Sequence, residues 1–271
     1  MFSGEPADVI YARGAGTSGL RWLRMLLTGL SSQWPLGWAL GLQSLTGLII
    51  ISSLWQLDWR RLQQFGDTSV WAGTSLACAL LWHLSAGIEP GLNFHLFGTG
   101  LMTLMFGFRF MVLGGLLGLG FHVAGGWMNW TEILWPALFI LIIPGALTHL
   151  CWRASLIWLP PNFFVYSWGV SFAGVSLAIA ANSLILTLVL SLSGLFETNY
   201  LLHFFLPYSL MQVFPEGLIT GMLMTLLVLY QPTWVTTFHD RFYLSHQSPQ
   251  DAHRRPRKRQ TTDQPGGPPD D

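Results

Sequence analysis

Apolar runs of about 20 residues, each long enough to cross ~30 Å of hydrocarbon, alternate with short polar links from Leu36 to Tyr230. Leu36–Trp55 is the first predicted membrane helix, and a link with Asp58, Arg60, Arg61 and Asp67 follows it. Ser69–Ile88 is the second. The stretch Glu89–Gly107, EPGLNFHLFGTGLMTLMFG, then breaks the pattern with an acid, a proline, a histidine and four glycines. Within it Leu96–Gly107 is short for a full span, and Phe108–Gly125 continues with Arg109 at the junction. Glu132–Trp152 is the fifth apolar segment. Pro160-Pro161-Asn162 predicts a stop, because proline has no N–H to donate and restrains the residue before it. Phe163–Gly194 is long enough to span while tilted, and Tyr200–Tyr230 is interrupted by Pro207 and Pro215. The pattern predicts an all-α, polytopic integral membrane bundle of about seven transmembrane segments.

Composition agrees. The 271 residues are 51% hydrophobic and 10% charged, with mean hydropathy +0.46. A soluble domain covers its surface with roughly 25% charged residues. Net charge is zero, but six of the thirteen basic residues lie beyond Tyr230. Seven crossings with the N-terminus outside and the C-terminus cytoplasmic place Arg60, Arg61, Arg109, Arg153 and Arg241 inside, as basic residues prefer. Glu89, Glu132 and Glu197 then fall outside, with Trp127, Trp130 and Trp135 at the outer boundary. This topology implies a multi-pass membrane protein held in the lipid bilayer.

Arg13, Arg21 and Arg24 fall on the wrong side, and Met25 follows directly. Translation is therefore expected to begin at Met25, which divides the chain into a polar segment 1–24, a membrane domain 25–246 and a basic tail 247–271. The tail carries Arg254-Arg255-Pro256-Arg257-Lys258-Arg259 in a Pro- and Gln-rich setting that cannot build a core. It is expected to be disordered and cytoplasmic, attracted to anionic headgroups; nothing beyond charge points to nucleic acid. The string Gly14–Gly19, GAGTSG, has dinucleotide-loop spacing, but the chain enters the membrane where the second strand and acid of that fold should follow. Cys78 and Cys151 lie in separate apolar segments without paired spacing.

Ionisable groups in or beside membrane segments are expensive, which makes them functional candidates. Glu216, after Pro215 in FPEGLITG, must pair, protonate or face a polar cavity; alternatively it bonds amides freed at a proline break. His95 stands before Gly98-Thr99-Gly100, where the chain re-enters the membrane, and imidazole there suits a borderline metal ion. His83, His122 and His203 fall toward the same outer level and either join such a site or sit as interfacial residues; His149 lies at the inner end. No Walker A lysine motif, HExxH or GxSxG occurs, so no catalytic residue is assigned. An intrinsic cofactor is not expected either.

The segments His95-Leu96-Phe97-Gly98-Thr99-Gly100 and Glu216-Gly217-Leu218-Ile219-Thr220 resemble two motifs of the CbiM/NikM family. These are substrate-binding membrane subunits of cobalt and nickel energy-coupling-factor transporters. LWHLSAGIEPGL, LPPNFFVY and PTWVTTFHDRFYL are similar to a predicted-membrane-protein branch of that family, over roughly Phe65–Leu244. The resemblance implies a helical bundle that takes up Co²⁺ or Ni²⁺, with separate ATPase subunits and a coupling transmembrane subunit driving translocation. It implies His95 as a metal ligand and Glu216, Gly98, Thr99 and Gly100 along the path. The family's other ligands, the N-terminal amine and a histidine beside the initiating methionine, have no counterpart in Met1-Phe2-Ser3 or Met25-Leu26-Leu27. Two other readings remain open on sequence: a non-transporting assembly or regulatory module, and a proton-coupled small-molecule permease using Glu216.

Overall fold

The computed structural model describes residues 36–58, 60, 68–83, 86–89, 92–94, 96–194 and 197–238. The Met25 start, the GAGTSG string, His95 and the basic tail all lie outside the described residues. Helix α1 covers Leu36–Trp55, as the apolar pattern predicts. Helix α2 covers Thr68–His83 and falls short of the predicted Ile88. Instead, β1 (Ala86–Glu89) pairs antiparallel with β2 (Leu92–Phe94) in a small hairpin. The sequence favours this exit from the helix: Gly87 and β-branched Ile88 are weak helix formers, and Pro90-Gly91 is a turn dipeptide.

Five more helices follow: α3 (Thr99–Phe106), α4 (Phe108–Ala124), α5 (Leu134–Trp158), α6 (Val165–Ser193) and α7 (Thr198–Tyr230). Among the described residues four helices, α1, α5, α6 and α7, are long and apolar enough to cross a membrane; α2 and α4 are shorter apolar helices. The predicted stop falls between α5 and α6, where Asn162 Oδ1 accepts the Val165 N–H at 2.7 Å and so caps the new helix. The predicted interruption of the last segment is reduced to a single turn residue, Gln212, between the Leu206–Met211 and Val213–Tyr230 stretches. The span as a whole continues past both prolines, and its Leu201–Phe205 turn widens to π geometry just ahead of Pro207. A similar π stretch, Ala137–Ile142, precedes Pro144 in α5. Widening accommodates the ring and the missing N–H without ending the helix.

Close contacts fix the directions of the helices. The Trp71 indole donates to the Phe110 carbonyl at 3.0 Å, and a Cβ on Gly118 would lie 2.9 Å from the Trp82 ring, so α2 and α4 run parallel. Helix α3 runs antiparallel to both, and seven of its eight residues are buried. Asn182 Nδ2 donates to the Phe139 carbonyl at 3.1 Å, while Gly174 meets Cys151, which makes α5 and α6 antiparallel. Two GxxxG stripes allow close approaches. Gly114 and Gly118 face α2; Gly217 and Gly221 face Phe172 and Ser176 of α6. Small residues four apart let backbones meet, which in lipid is the main source of helix association.

The bundle thus has two ends. The hairpin, Gly126 and Gly194 turns lie at one, called the hairpin end. At the other, the latch end, Arg109 donates to the Gln56 carbonyl (2.9 Å) and side-chain oxygen (2.6 Å), joining α1 to α4. Trp135, expected at a lipid boundary, is instead buried and stacked on Phe139 with ring centroids 6.2 Å apart. Trp130 is exposed.

Candidate functional site

The most constrained point of the molecule is the turn that leads into α3. Gly98 precedes the helix with φ +65°, a left-handed conformation that side-chain-bearing residues rarely adopt. A Cβ at this position would also lie 2.8 Å from Cys78 Sγ. Every backbone polar group of Phe97 and Gly98 has a partner. Glu216 Oε2 accepts the Phe97 N–H and Oε1 accepts the Gly98 N–H, each at 2.8 Å. The Trp82 indole donates to the Phe97 carbonyl at 2.8 Å. The Gly98 carbonyl accepts the Met102 N–H at 3.0 Å, opening the helix, and the Cys78 thiol at 3.9 Å.

Glu216 is 2% exposed. A carboxylate so placed needs strong donors, and two neighbouring amides at one turn supply them in parallel. Its bonds span 119 and 118 residues of sequence. They therefore do not repair the local proline break that sequence reasoning offered as the plain alternative. The Gly217–Gly221 stripe makes the bonds possible by seating α7 directly on α6. Next along α3, a Cβ on Gly100 would lie 2.6 Å from Val175, so α3 and α6 also meet at backbone range. Thr99 is fully buried, and its hydroxyl makes no hydrogen bond among the described residues.

The candidate histidines are distributed unevenly. His95 precedes the clasped turn by two residues and is outside the described set, as is the side chain of His83. His122 is buried near the end of α4, where Nδ1 lies 3.0 Å from the Gly118 carbonyl. Its ring is surrounded by Trp82, Phe121 and Trp127 at centroid distances of 6.1, 6.1 and 5.6 Å. Trp82 therefore touches both His122 and the clasped turn. His203 is exposed on α7, its Nδ1 2.9 Å from the Asn199 carbonyl. Among the described residues no three His, Cys, Asp or Glu side chains form a metal cluster. Sequence reasoning missed Trp82 and Cys78. Their signal was present: two residues with polar atoms, four apart on one face of an apolar helix, just ahead of the loop.

Residues 32–234 match the family described as the cobalt uptake substrate-specific transmembrane region. The chain belongs to this family. Neither the curated proteins nor the solved structures gave a match. The matched span begins just before α1 and ends at Trp234, so it contains α3, Glu216 and the whole clasp. The protein is accordingly a multi-pass membrane component of cobalt uptake, and the usual setting of the family is the bacterial inner membrane. This is a family of transporter components, not of enzymes.

Proposed function

We propose that this member of the cobalt uptake family is the ion-binding membrane subunit of an energy-coupling-factor transporter. It takes Co²⁺, or Ni²⁺ as a similar ion, at the hairpin end for translocation powered by separate ATPase subunits through a coupling membrane subunit. The observation that carries the reading is the Glu216 clasp, which fixes the backbone two residues beyond His95. An imidazole two residues along the chain from a fixed turn has less backbone to order when it binds a borderline divalent ion. Gly98 and Gly100 keep the turn and α3 close to their neighbours. The buried Thr99 hydroxyl offers an oxygen where the ion would leave the loop. His122 reaches the same turn through Trp82, whereas His203 is placed on the exposed face of α7.

Charge supports an orientation with the hairpin end outside. Arg109 and Arg153 lie toward the latch end, and Glu197 heads α7 at the other. The experiment is cobalt and nickel accumulation in cells that produce the chain with its transport partners. Deletion lowers cellular metal, and the His95→Ala variant fails to restore it. Unchanged metal after deletion would leave the non-transporting module as the better reading.

A further inference from the structure

Helix α3 is held at both ends by the same helix and its continuation. At the hairpin end, Glu216 of α7 grips the turn before α3. At the latch end, the chain beyond α7 makes a 3-10 turn, Pro232–Trp234, and doubles back beneath α3. There Thr237 Oγ1 donates to the Leu104 carbonyl at 2.6 Å, and the Thr236 N–H donates to the Met105 carbonyl at 2.8 Å. The Tyr166 hydroxyl meets Thr237 Oγ1 at 2.6 Å; with Thr237 donating to Leu104, Tyr166 is the donor in this pair. The Trp152 indole donates to the Thr237 carbonyl at 3.2 Å. Tyr166, Thr237 and Phe238 are all buried. The chain beyond α7 thus satisfies the last carbonyls of α3, groups that a helix end leaves without internal partners, and is itself held by α5 and α6.

We propose that Thr237 and Tyr166 are positioning residues for the Phe97–Gly98 turn at the opposite end of the bundle, acting through α3 as a strut. The inference rests on the clasp geometry and goes beyond the metal-binding reading. Three features make α3 a strut. It is short, about 12 Å for eight residues. Close packing of Gly100 on Val175 and of Gly114 on Met102 leaves it no lateral room. Its far end passes through Gly107 alone into α4, with no linker to absorb a shift. Axial displacement at Leu104 and Met105 therefore reaches Gly98, six residues away. Glu216 and Thr237 sit on one continuous chain, so both grips move with α7. Thr236 and Thr237 lie just past the family-matched residues, which end at position 234.

Cys78 provides a native reporter, because its buried thiol touches Gly98. The test is the rate of Cys78 alkylation by N-ethylmaleimide in full-length, metal-free protein carrying Cys151→Ser, so that a single thiol reacts. Glu216→Ala opens the clasp directly and sets the scale. Thr237→Val and Tyr166→Phe are each expected to raise the rate several-fold, and Thr237→Ser is expected to return it to the parent value. Thr187→Val, a buried threonine bonded only within α6, is expected to leave the rate unchanged. Should Thr237→Val fail to fold, Tyr166→Phe carries the test, since it removes one hydroxyl and keeps the ring. Parent rates in Thr237→Val and Tyr166→Phe would overturn the proposal. So would an equal rise in Thr187→Val, which would mean general loosening. No metal enters the measurement, so loss of metal binding elsewhere would sink the transport reading without touching this one.

Discussion

At the residue scale the structure turns on how Glu216 is satisfied. Two amide donors in one turn match two carboxylate oxygens, and the amide of glutamine cannot reproduce this: one of its two acceptors becomes a donor facing an N–H. Glu216→Gln is therefore expected to lose one clasp bond and Glu216→Ala both. With the amides left buried, Glu216→Ala should cost about 2–5 kcal/mol of stability, measurable as a lowered unfolding midpoint in detergent. Gly98→Ala meets two obstacles, the left-handed backbone and Cys78 Sγ at 2.8 Å. The backbone alone costs about 1–2 kcal/mol. Adding Cys78→Ala to Gly98→Ala should recover the steric part and leave the conformational part. Full recovery in the double variant would show that the φ angle carries no cost. Glu216 and the glycines around Thr99 were legible in the sequence, because charge and small residues are conspicuous in an apolar run. What Glu216 binds was not legible, because its partners are backbone groups far off in sequence.

At the element scale, helix positions follow from the apolar pattern and their failures have local causes. Residues 36–55 read directly as α1, and Pro160-Pro161-Asn162 as the break before α6. Helix α2 was read too long because hydropathy continues past His83 while Gly87 and Pro90-Gly91 favour a hairpin. Pro207 read as an interruption because a π turn, which lets the helix continue, leaves no mark in the sequence, whereas the lapse at Gln212 does fall just ahead of Pro215. The GLITG stripe of α7 is the element on which the site depends. A Cβ on Gly217 would collide with the Ser176 hydroxyl and reach 3.0 Å from the Phe172 carbonyl. Gly217→Val should therefore push α7 off α6 and withdraw Glu216 from the turn. It is expected to destabilise by about 1–3 kcal/mol, and to raise Cys78 reactivity as is expected of Glu216→Ala. A variant that loses stability while Cys78 stays protected would separate the packing role from the clasp.

At the scale of the whole molecule, the arrangement explains why a short helix lies at the centre of a membrane protein. Helix α3 carries the turn next to His95 on one end and is gripped on the other by the chain beyond α7. Helices α2, α4, α5, α6 and α7 pack against it. The membrane character and family of the chain were legible from hydropathy and from two short motifs, since both depend on local sequence. The packing around α3 was not, because it depends on glycines whose partners are set only by the fold. The account's central claim is that the clasped turn presents His95 to a divalent ion. Calorimetric titration of Co²⁺ and Ni²⁺ into purified full-length protein, beside His95→Ala and Glu216→Gln, tests it most directly. The account predicts saturable binding by the parent, loss in His95→Ala, and weakening of about 10–100-fold in Glu216→Gln, the range for a group that orients a ligand. Absence of binding by the parent, or equal affinity in His95→Ala, would contradict it.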